Sequence, residues 1–352
     1  MVSKRKAAIY YGKGDLRIEE IDMPTVGPDQ VLVKIRAVGV CGSDVHLCVH
    51  GAIGDLVNPV GHINGHECAG EIVAVGENVK DRHVGQRVAI EPGEGCGECF
   101  YCKSGKYNLC PHMDFMGHPN PEREGAYTEY TVCKAGYTYP IEDNVSFEEA
   151  AMVEPMAVAM QILKNSQVKA GDNIAILGAG TIGMCTLLAA QAFGCNKIFV
   201  TDITQYRVDA AKKFGATMAI NAETEDWKQI IKDATGGLGV DVAIDVAGCA
   251  EIYHDITEIV RRGGMVNFTA MTSDKYFEVN MFEVIDKELK ISSVFRYDNV
   301  FEQALRVMAA GRVDMKKLIT HKFPLEQINE AMRVADQKLD NCIKVCITMG
   351  DE

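Results

Sequence analysis

The stretch NIAILGAGTIG, residues 173–183, decides the fold of the second half of the chain. A short apolar run leads into a Gly-x-Gly-x-x-Gly pattern whose glycines are Gly178, Gly180 and Gly183. Glycines have no side chain, so the backbone can approach the pyrophosphate of a dinucleotide at the N-terminus of the next helix. A tight turn packed for structural reasons alone would show the same glycines, so the surrounding sequence has to decide.

An acidic residue follows the next apolar run. KIFVT is followed by Asp202, nineteen residues past Gly183, about where a dinucleotide-binding unit places a carboxylate on the adenosine ribose. This carboxylate would repel a 2′-phosphate, so the sequence predicts NAD rather than NADP, although the nearby Arg207 argues the other way. Alternatively, Asp202 is an ordinary cap near a helix that starts at Thr204. The predicted nucleotide-binding residues are Gly178, Gly180, Thr181, Ile182, Gly183, Asp202 and Arg207.

The same alternation continues beyond the motif. Short apolar runs recur about every 25 residues as NIAIL, KIFVT, TMAI, VDVAIDV, GMVNFT and LKISSVF, with helical stretches such as RVDAAKKFG between them. Strands that alternate with helices form a parallel sheet covered on both faces. The second half is therefore predicted to be a doubly wound α/β domain with six parallel strands.

The first half has a different pattern. Up to about residue 145, β-like runs such as QVLVKIRAVGV, EIVAVG, RVAIEP and AYTEYTV are separated by Gly and Pro. This pattern predicts a β-rich, barrel-like domain. Ser146 and Glu149 then form a capping box that opens a helix through AAMVEPMAVAMQIL. The last sixty residues exceed what a six-stranded sheet needs and are expected to pack back on the first domain. The predicted segments are 1–149, 150–293 and 294–352.

Composition excludes several classes of function. A chain of 352 residues is longer than one core usually supports, so two domains are expected. A net charge of -13 makes nucleic acid and anionic membranes poor partners. The N-terminus lacks the long apolar segment of a secretory signal, so we expect a cytoplasmic protein. In that compartment, thirteen cysteines favour free thiols and metal ligands over disulfides.

Four of these cysteines lie close together in EGCGECFYCKSGKYNLCP, which begins at Glu94. Their spacing is typical of zinc ribbons. An iron–sulfur site and four unligated thiols are the alternatives. However, the spacing differs from the CxxCxxCxxxCP pattern of ferredoxins, and the sequence has no second cluster of cysteines. Four thiolates saturate zinc and leave no position for substrate, so this site is predicted to be structural. Its ligands are Cys96, Cys99, Cys102 and Cys110.

A second set of metal ligands lies in CGSDVH, residues 41–46, and GHECAGEIVAVG, residues 65–76. Cys41, His66 and Glu67 offer sulfur, nitrogen and oxygen. Zinc with three protein ligands keeps one position open and lowers the pKa of a bound water or alcohol toward about 7. A buried, unliganded cysteine and a carboxylate at a solvated strand end are the alternatives from spacing alone.

CGSDVH, GHExxGxxxxxG, the four-cysteine segment, Glu154-Pro155 and GAGTIG occur in the order found in zinc-dependent medium-chain dehydrogenases. The chain resembles that family over nearly its whole length. VFRY at 294–297 and THKFPLE at 320–326 are most similar to the branch of sorbitol and other polyol dehydrogenases. The resemblance implies a GroES-like catalytic domain, a Rossmann NAD-binding domain, a homotetramer and two zinc ions per subunit.

The resemblance also implies roles for individual residues. Cys41, His66 and Glu67 match the ligands of the catalytic zinc, and Cys96, Cys99, Cys102 and Cys110 match those of the structural zinc. The other matching positions are Glu154 as the carboxylate near the metal, Asp44 as the residue that orients His66, Ser43 and His46 as the path of the alcohol proton, and Phe115, Arg296 and Tyr297 as the polyol pocket.

The implied reaction is the reversible oxidation of a secondary alcohol of a polyol, such as sorbitol, xylitol or L-arabinitol, to a ketose with NAD. Leu47 departs from the tyrosine of animal sorbitol dehydrogenases, which puts the identity of the polyol in doubt, and Gln86 replaces the usual Asp. A dehydrogenase for L-threonine or 2,3-butanediol is the nearest alternative. A non-catalytic nucleotide-binding protein and a zinc-stabilised interaction scaffold are the others.

Overall fold

The computed structural model describes residues 3–119, 123–272 and 275–350. The chain divides into two compact units. The first takes in the residues up to Glu154, Phe301–Gly311 and the segment from Met315 onward, and the second takes in Pro155–Val300 and Arg312–Asp314. The boundaries 149/150 and 293/294 remain predictions. No helix in the described ranges has both the length and the apolar character that crossing a bilayer requires.

The first unit is built around a seven-stranded mixed sheet. The strands of the whole unit are β1 (Lys4–Gly12), β2 (Asp15–Asp22), β3 (Gln30–Gly39), β4 (Ala52–Ile53), β5 (Leu56–Val57), β6 (Glu67–Val75), β7 (Arg87–Ile90), β8 (Gly93–Glu94), β9 (Asp114–Phe115), β10 (Tyr130–Lys134), β11 (Thr138–Pro140), β18 (Ile319–Pro324) and β19 (Lys344–Thr348). Among them β1 with β2, β4 with β5 and β8 with β9 form separate two-stranded sheets. The order in the sheet is β11-β7-β6-β3-β19-β18, and β10 also pairs with β3.

Short helices connect and cover these strands. They are α1 (Gly42–Val45), α2 (Phe100–Lys103), α3 (Phe147–Ala151), α10 (Phe301–Ala309) and α11 (Ile328–Gln337). The last strand, β19, pairs antiparallel with β3 in the middle of the sheet. Ile328 and Met332 of α11 and Ile347 of β19 share one buried core with Ile35 and Ile72, so the end of the chain forms part of the interior of the first unit.

The second unit contains a parallel sheet of six strands, as predicted. The strands are β12 (Asn173–Leu177), β13 (Lys197–Asp202), β14 (Met218–Asn221), β15 (Val240–Asp245), β16 (Val260–Phe268) and β17 (Lys290–Ser293), and the helices are α4 (Val153–Asn165), α5 (Thr181–Phe193), α6 (Gln205–Lys213), α7 (Trp227–Ala234), α8 (Ala250–Asp255) and α9 (Met281–Asp286). The order is β14-β13-β12-β15-β16-β17. The strand order reverses between β12 and β15, which is where a doubly wound sheet binds its ligand.

The helix predicted to run from the capping box through AAMVEPMAVAMQIL is two helices. The capping box itself is present, because the Ser146 hydroxyl accepts from the Glu149 N–H at 3.3 Å and the Glu149 carboxylate accepts from the Ser146 N–H at 3.0 Å. However, α3 ends at Ala151 and α4 begins at Val153. Pro155 has no N–H to continue α3 and is tolerated in the first turn of α4, so the helix restarts at this point.

Candidate metal centres and nucleotide site

Cys41, His66 and Glu67 form a compact cluster of possible metal ligands. One ligand atom from each lies within 4.8 Å of the other two. Cys41 is the residue before α1 and has an extended backbone, while Glu67 is the first residue of β6, His66 precedes it, and both are buried. A thiol, an imidazole and a carboxylate at this spacing fit a single zinc ion with one open position.

Asp44 holds the imidazole of His66. Its carboxylate is fully buried, and Oδ1 lies 3.4 Å from His66 Nδ1. Burial alone would raise the pKa of Asp44, but the charge of His66 and hydrogen bonds from His66, Tyr127 and the Cys41 N–H lower it below its usual value. The carboxylate therefore stays ionised and leaves His66 Nε2 as the nitrogen available to a metal, an arrangement that liganding histidines generally need.

Tyr127 completes this support and was not found from the sequence. Its hydroxyl donates to Asp44 Oδ2 at 2.9 Å, and the side chain is fully buried. Gly65 makes room for the ring, since a Cβ at Gly65 would lie 3.0 Å from it, and its φ of +95° favours glycine. In the sequence Tyr127 is one aromatic residue of a β-like run, and nothing local marks it as a partner of Asp44.

The structure places the other predicted residues of the first unit near these elements. Phe115 is buried, with its ring centroid 5.3 Å from that of His66. Ser43 is half-buried in α1, and His46 is exposed at the start of a π-helical turn, His46–His50. Glu154 is buried and is not one of the three residues grouped within 4.8 Å. Its predicted role beside the metal therefore stays a prediction.

Arg296 and Tyr297 belong to the second unit. Tyr297 is buried at 3% exposure, and the Arg296 guanidinium lies over the ring of Phe295, 4.7 Å from its centroid. Arg296 has a φ of +57°, so the backbone turns tightly after β17. Their contribution to a substrate pocket remains a prediction.

The four cysteines of the second cluster also converge. One sulfur from each of Cys96, Cys99, Cys102 and Cys110 lies within 4.8 Å of the others. Backbone N–H groups of Glu98 and Cys99 lower the pKa of Cys96 to about 6, whereas burial raises the pKa of Cys102 to about 12. All thirteen cysteines of the chain lie in the described ranges, and none of them forms a disulfide. Four sulfurs at this spacing fit a closed zinc site.

Buried carboxylates attach this four-cysteine segment to the sheet. Glu91, 1% exposed, accepts hydrogen bonds from the hydroxyls of Tyr107 at 2.6 Å and Tyr139 at 2.8 Å. Burial raises the pKa of Glu91, although both hydroxyl contacts act in the opposite direction. Glu94 pairs with Arg123 at 2.9 Å. These hydrogen bonds and this ion pair attach the four-cysteine segment to the rest of the first unit. The spacing of the cysteines in the sequence did not indicate these contacts.

In the second unit the glycine motif forms the turn between β12 and α5. Gly178 has a φ of +115°, and a Cβ at Gly183 would lie 2.0 Å from the carbonyl oxygen of Gly178. Gly180 is the residue before α5, whose first residues are Thr181 and Ile182, and it provides no side-chain cap. The N–H groups in the first turn of a helix have no acceptor within the helix, so this end of α5 suits an anionic group such as a pyrophosphate.

Asp202 ends β13 beside this turn. Its Oδ2 accepts from the Ala179 N–H at 2.8 Å, and its Oδ1 accepts from the Thr204 N–H at 2.8 Å. Arg207 Nη1 lies 3.7 Å from Oδ2. The N-cap residue of α6 is Thr204, so the contact with its N–H fits both the predicted ribose-binding role of Asp202 and the alternative of a cap near the helix. Asp202 joins the glycine turn to the end of β13, with Arg207 held by the carboxylate.

Comparison with known proteins identifies both halves of the chain. The family description "Alcohol dehydrogenase GroES-like domain" matches residues 27–143, and "Zinc-binding dehydrogenase" matches residues 181–310. Sorbitol dehydrogenase of Bacillus subtilis is 40% identical over 97% of this chain and 96% of its own length. Sorbitol dehydrogenase of Bos taurus is 36% identical over 94% of this chain and 93% of its own. The predicted GroES-like and Rossmann folds are confirmed.

Comparison with solved structures supports the same fold. An oxidoreductase of unknown specificity from Escherichia coli has a TM-score of 0.94 and 36% identity, covering 99% of this chain and 100% of its own. A chain from Sinorhizobium meliloti bound to NADP has a TM-score of 0.91 and 28% identity, and an alcohol dehydrogenase from E. coli CFT073 complexed with NADH has 0.91 and 29%. Each of these two covers 99% of this chain and 100% of its own. The similar structures therefore include both kinds of nicotinamide cofactor.

Proposed function

Because the chain belongs to the zinc-binding alcohol dehydrogenase family, we propose that it oxidises a secondary alcohol of a polyol to a ketose with NAD. The observation that most directly supports this proposal is the cluster of Cys41, His66 and Glu67 in a chain that matches sorbitol dehydrogenases over almost its whole length. In this reaction a C–H and an O–H bond break and a C=O bond forms. The hydride passes to NAD, and the proton is released.

A zinc ion held by Cys41, His66 and Glu67 would supply the Lewis acid that favours loss of the hydroxyl proton. Ser43 and His46, on consecutive turns after Cys41, are proposed to take up that proton and pass it on, and the exposed ring of His46 can release it to water. Asp44 fixes the orientation of His66. Glu154 is the proposed carboxylate near the metal, and Phe115, Arg296 and Tyr297 are the proposed polyol contacts.

The four-cysteine segment is proposed to hold a second, structural zinc. Its four sulfurs would occupy every position of a tetrahedral ion and leave none for chemistry. The attachment through Glu91 supports a structural role, because Tyr107 of the segment and Tyr139 of β11 bind the same carboxylate.

The test of the proposed function is a substrate panel with NAD. We expect NADH formation with one of sorbitol, xylitol, L-arabinitol and galactitol, and much slower formation with L-threonine and 2,3-butanediol. The resemblance of VFRY at 294–297 to polyol dehydrogenases supports this order. Turnover of threonine or butanediol alone would identify a sister enzyme and contradict the proposed substrate class.

We propose that the cofactor is NAD because of Asp202. In Asp202→Ser, kcat/KM for NAD should fall about 10- to 150-fold, the usual worth of a hydrogen bond to a charged group. The rate with NADP should not fall, since the carboxylate that repels a 2′-phosphate is removed. Asp209→Ser, which removes an exposed acid from α6, is the matched control. Equal losses with both cofactors would show that Asp202 only holds the glycine turn.

We also propose a homotetramer. The resemblance implies this state, and the edge of the parallel sheet is consistent with self-association, because β17 has no partner on its outer side among the described residues. Ile291 of β17 and Phe282 and Ile285 of α9 are exposed apolar side chains. Exposed apolar groups at an unpaired edge favour contact with another chain. A native mass of one subunit would contradict this proposal.

A further inference from the structure

A buried lysine from the last strand contacts the proposed catalytic metal site. Lys344 is the first residue of β19, and its side chain is 2% exposed. Its ammonium group pairs with Oε2 of Glu67, whose side chain is 1% exposed. It also donates to the carbonyl oxygen of Val40 at 2.9 Å. A buried ammonium and a buried carboxylate are tolerated only when each has a partner, so the two groups depend on each other.

The strand order of the sheet brings these residues together. β3 lies between β6 and β19, so Gly39 at its end is paired with Glu67 on one side and with Cys346 on the other. Gly39 leaves the space that the ion pair occupies. A Cβ at that position would lie 2.1 Å from Glu67 Oε2 and 3.0 Å from Lys344 Cε. The pair is therefore built into three adjacent strands.

Lys344 touches two of the segments that carry proposed ligands. It binds the carboxylate of Glu67 directly, and it binds the carbonyl of Val40, the residue before Cys41. The Val40 N–H in turn donates to the carbonyl of Val345 at 2.9 Å, so residues of β19 bind both the N–H and the C=O of Val40. The orientation of Glu67 and the start of the Cys41 turn are thus set by one side chain.

We propose that Lys344 is a positioning residue for the catalytic metal: it binds Oε2 of Glu67 and leaves Oε1 as the oxygen for the ion. This inference rests on the proposed function. Without Lys344, Oε2 of Glu67 would be buried without a cation. The carboxylate would then lose the contact that fixes its orientation, and this weakens it as a ligand.

The experiment compares Lys344→Met, Lys344→Arg and Lys322→Met with the unchanged protein. Lys322 lies on the neighbouring strand β18, but its side chain is 53% exposed and pairs with Glu148, so it is a matched control. Metal affinity is measured by zinc content after dialysis against graded chelator. The ligand geometry is read from the visible spectrum of the cobalt-substituted protein, after subtraction of the spectrum of Cys41→Ala, which retains only the four-cysteine site.

In Lys344→Met we expect the affinity for the catalytic metal to fall about 10- to 100-fold, as is typical when a partner of a metal ligand is lost. The cobalt spectrum should change as well. Lys344→Arg should recover most of the affinity because it keeps the charge, and Lys322→Met should match the unchanged protein. An unaltered spectrum and affinity in Lys344→Met would overturn the proposal, even if its melting temperature fell, because Lys344 would then only hold β19.

A double-variant cycle with Glu67→Gln tests whether Lys344 acts through Glu67. If it does, adding Lys344→Met to Glu67→Gln should change the metal affinity less than about twofold, because contacting residues that act as one unit are not additive. In the double variant neither member of the pair carries a charge. If Lys344→Met fails to fold, the metal affinity of the double variant can therefore still be compared with that of Glu67→Gln. A full additional loss would overturn the proposal. Absence of zinc from the catalytic site of the unchanged protein would instead contradict the proposed function.

Discussion

Cys41→Ala is expected to lower kcat/KM for the polyol by more than about 100-fold, because loss of a ligand should cost more than loss of a partner of a ligand. Cys41 supplies the only sulfur among the three grouped ligands and lies at the turn where β3 leads into α1. The variant should lose one zinc per subunit. NADH binding should stay within about twofold, because the glycine turn and Asp202 belong to the second unit.

The control for Cys41→Ala is Cys249→Ala. Cys249 is an exposed thiol of the second unit and lies in neither cysteine cluster. Its replacement should leave zinc content and rate unchanged. If Cys41→Ala kept substantial turnover with one zinc fewer, the metal held by Cys41, His66 and Glu67 would not be the catalytic one.

Cys99→Ser is expected to act on stability and assembly before it acts on chemistry. It removes one of four sulfurs from a closed site, and binding of a structural zinc contributes directly to folding. We expect a melting temperature at least about 5 °C lower, which corresponds to roughly 2 kcal/mol in a unit of this size. Solubility or native mass should fall with it. The zinc content should drop by one per subunit.

Cys195→Ser, a half-buried thiol outside both clusters, is the matched control for Cys99→Ser. The catalytic rate of the remaining correctly assembled Cys99→Ser protein should be close to that of the unchanged protein. A stable, fully assembled and inactive Cys99→Ser variant would contradict the structural role of the four-cysteine segment.

The sequence predicted those parts of the fold and site that depend on local pattern. The glycine turn and the six parallel strands follow from runs of four to seven residues, and the four cysteines lie within one short segment. The ligand set of Cys41, His66 and Glu67 came from the order of motifs along the chain. The structure brings the three side chains within reach of one ion.

The sequence did not reveal the residues that support the ligands. Tyr127 lies 83 residues from Asp44, and Lys344 lies 277 residues from Glu67. Lys344 reaches Glu67 because β19 and β6 are both neighbours of β3 in the sheet, whereas Tyr127 reaches Asp44 of α1 from a bend before β10. A buried tyrosine or lysine has no local signature of its partner. The division of the predicted helix at Met152 was missed because Pro155 is compatible with either one kinked helix or two.

The central claim is that a metal held by Cys41, His66 and Glu67 is required for oxidation of a polyol. The most direct measurement is the rate of NAD reduction with the preferred polyol, determined together with zinc content per subunit during graded chelation. We predict two zinc ions per subunit at the start and a rate that falls in proportion to loss of the more readily removed one, with recovery when zinc is restored. A full rate in protein containing less than one zinc ion per subunit would contradict the claim.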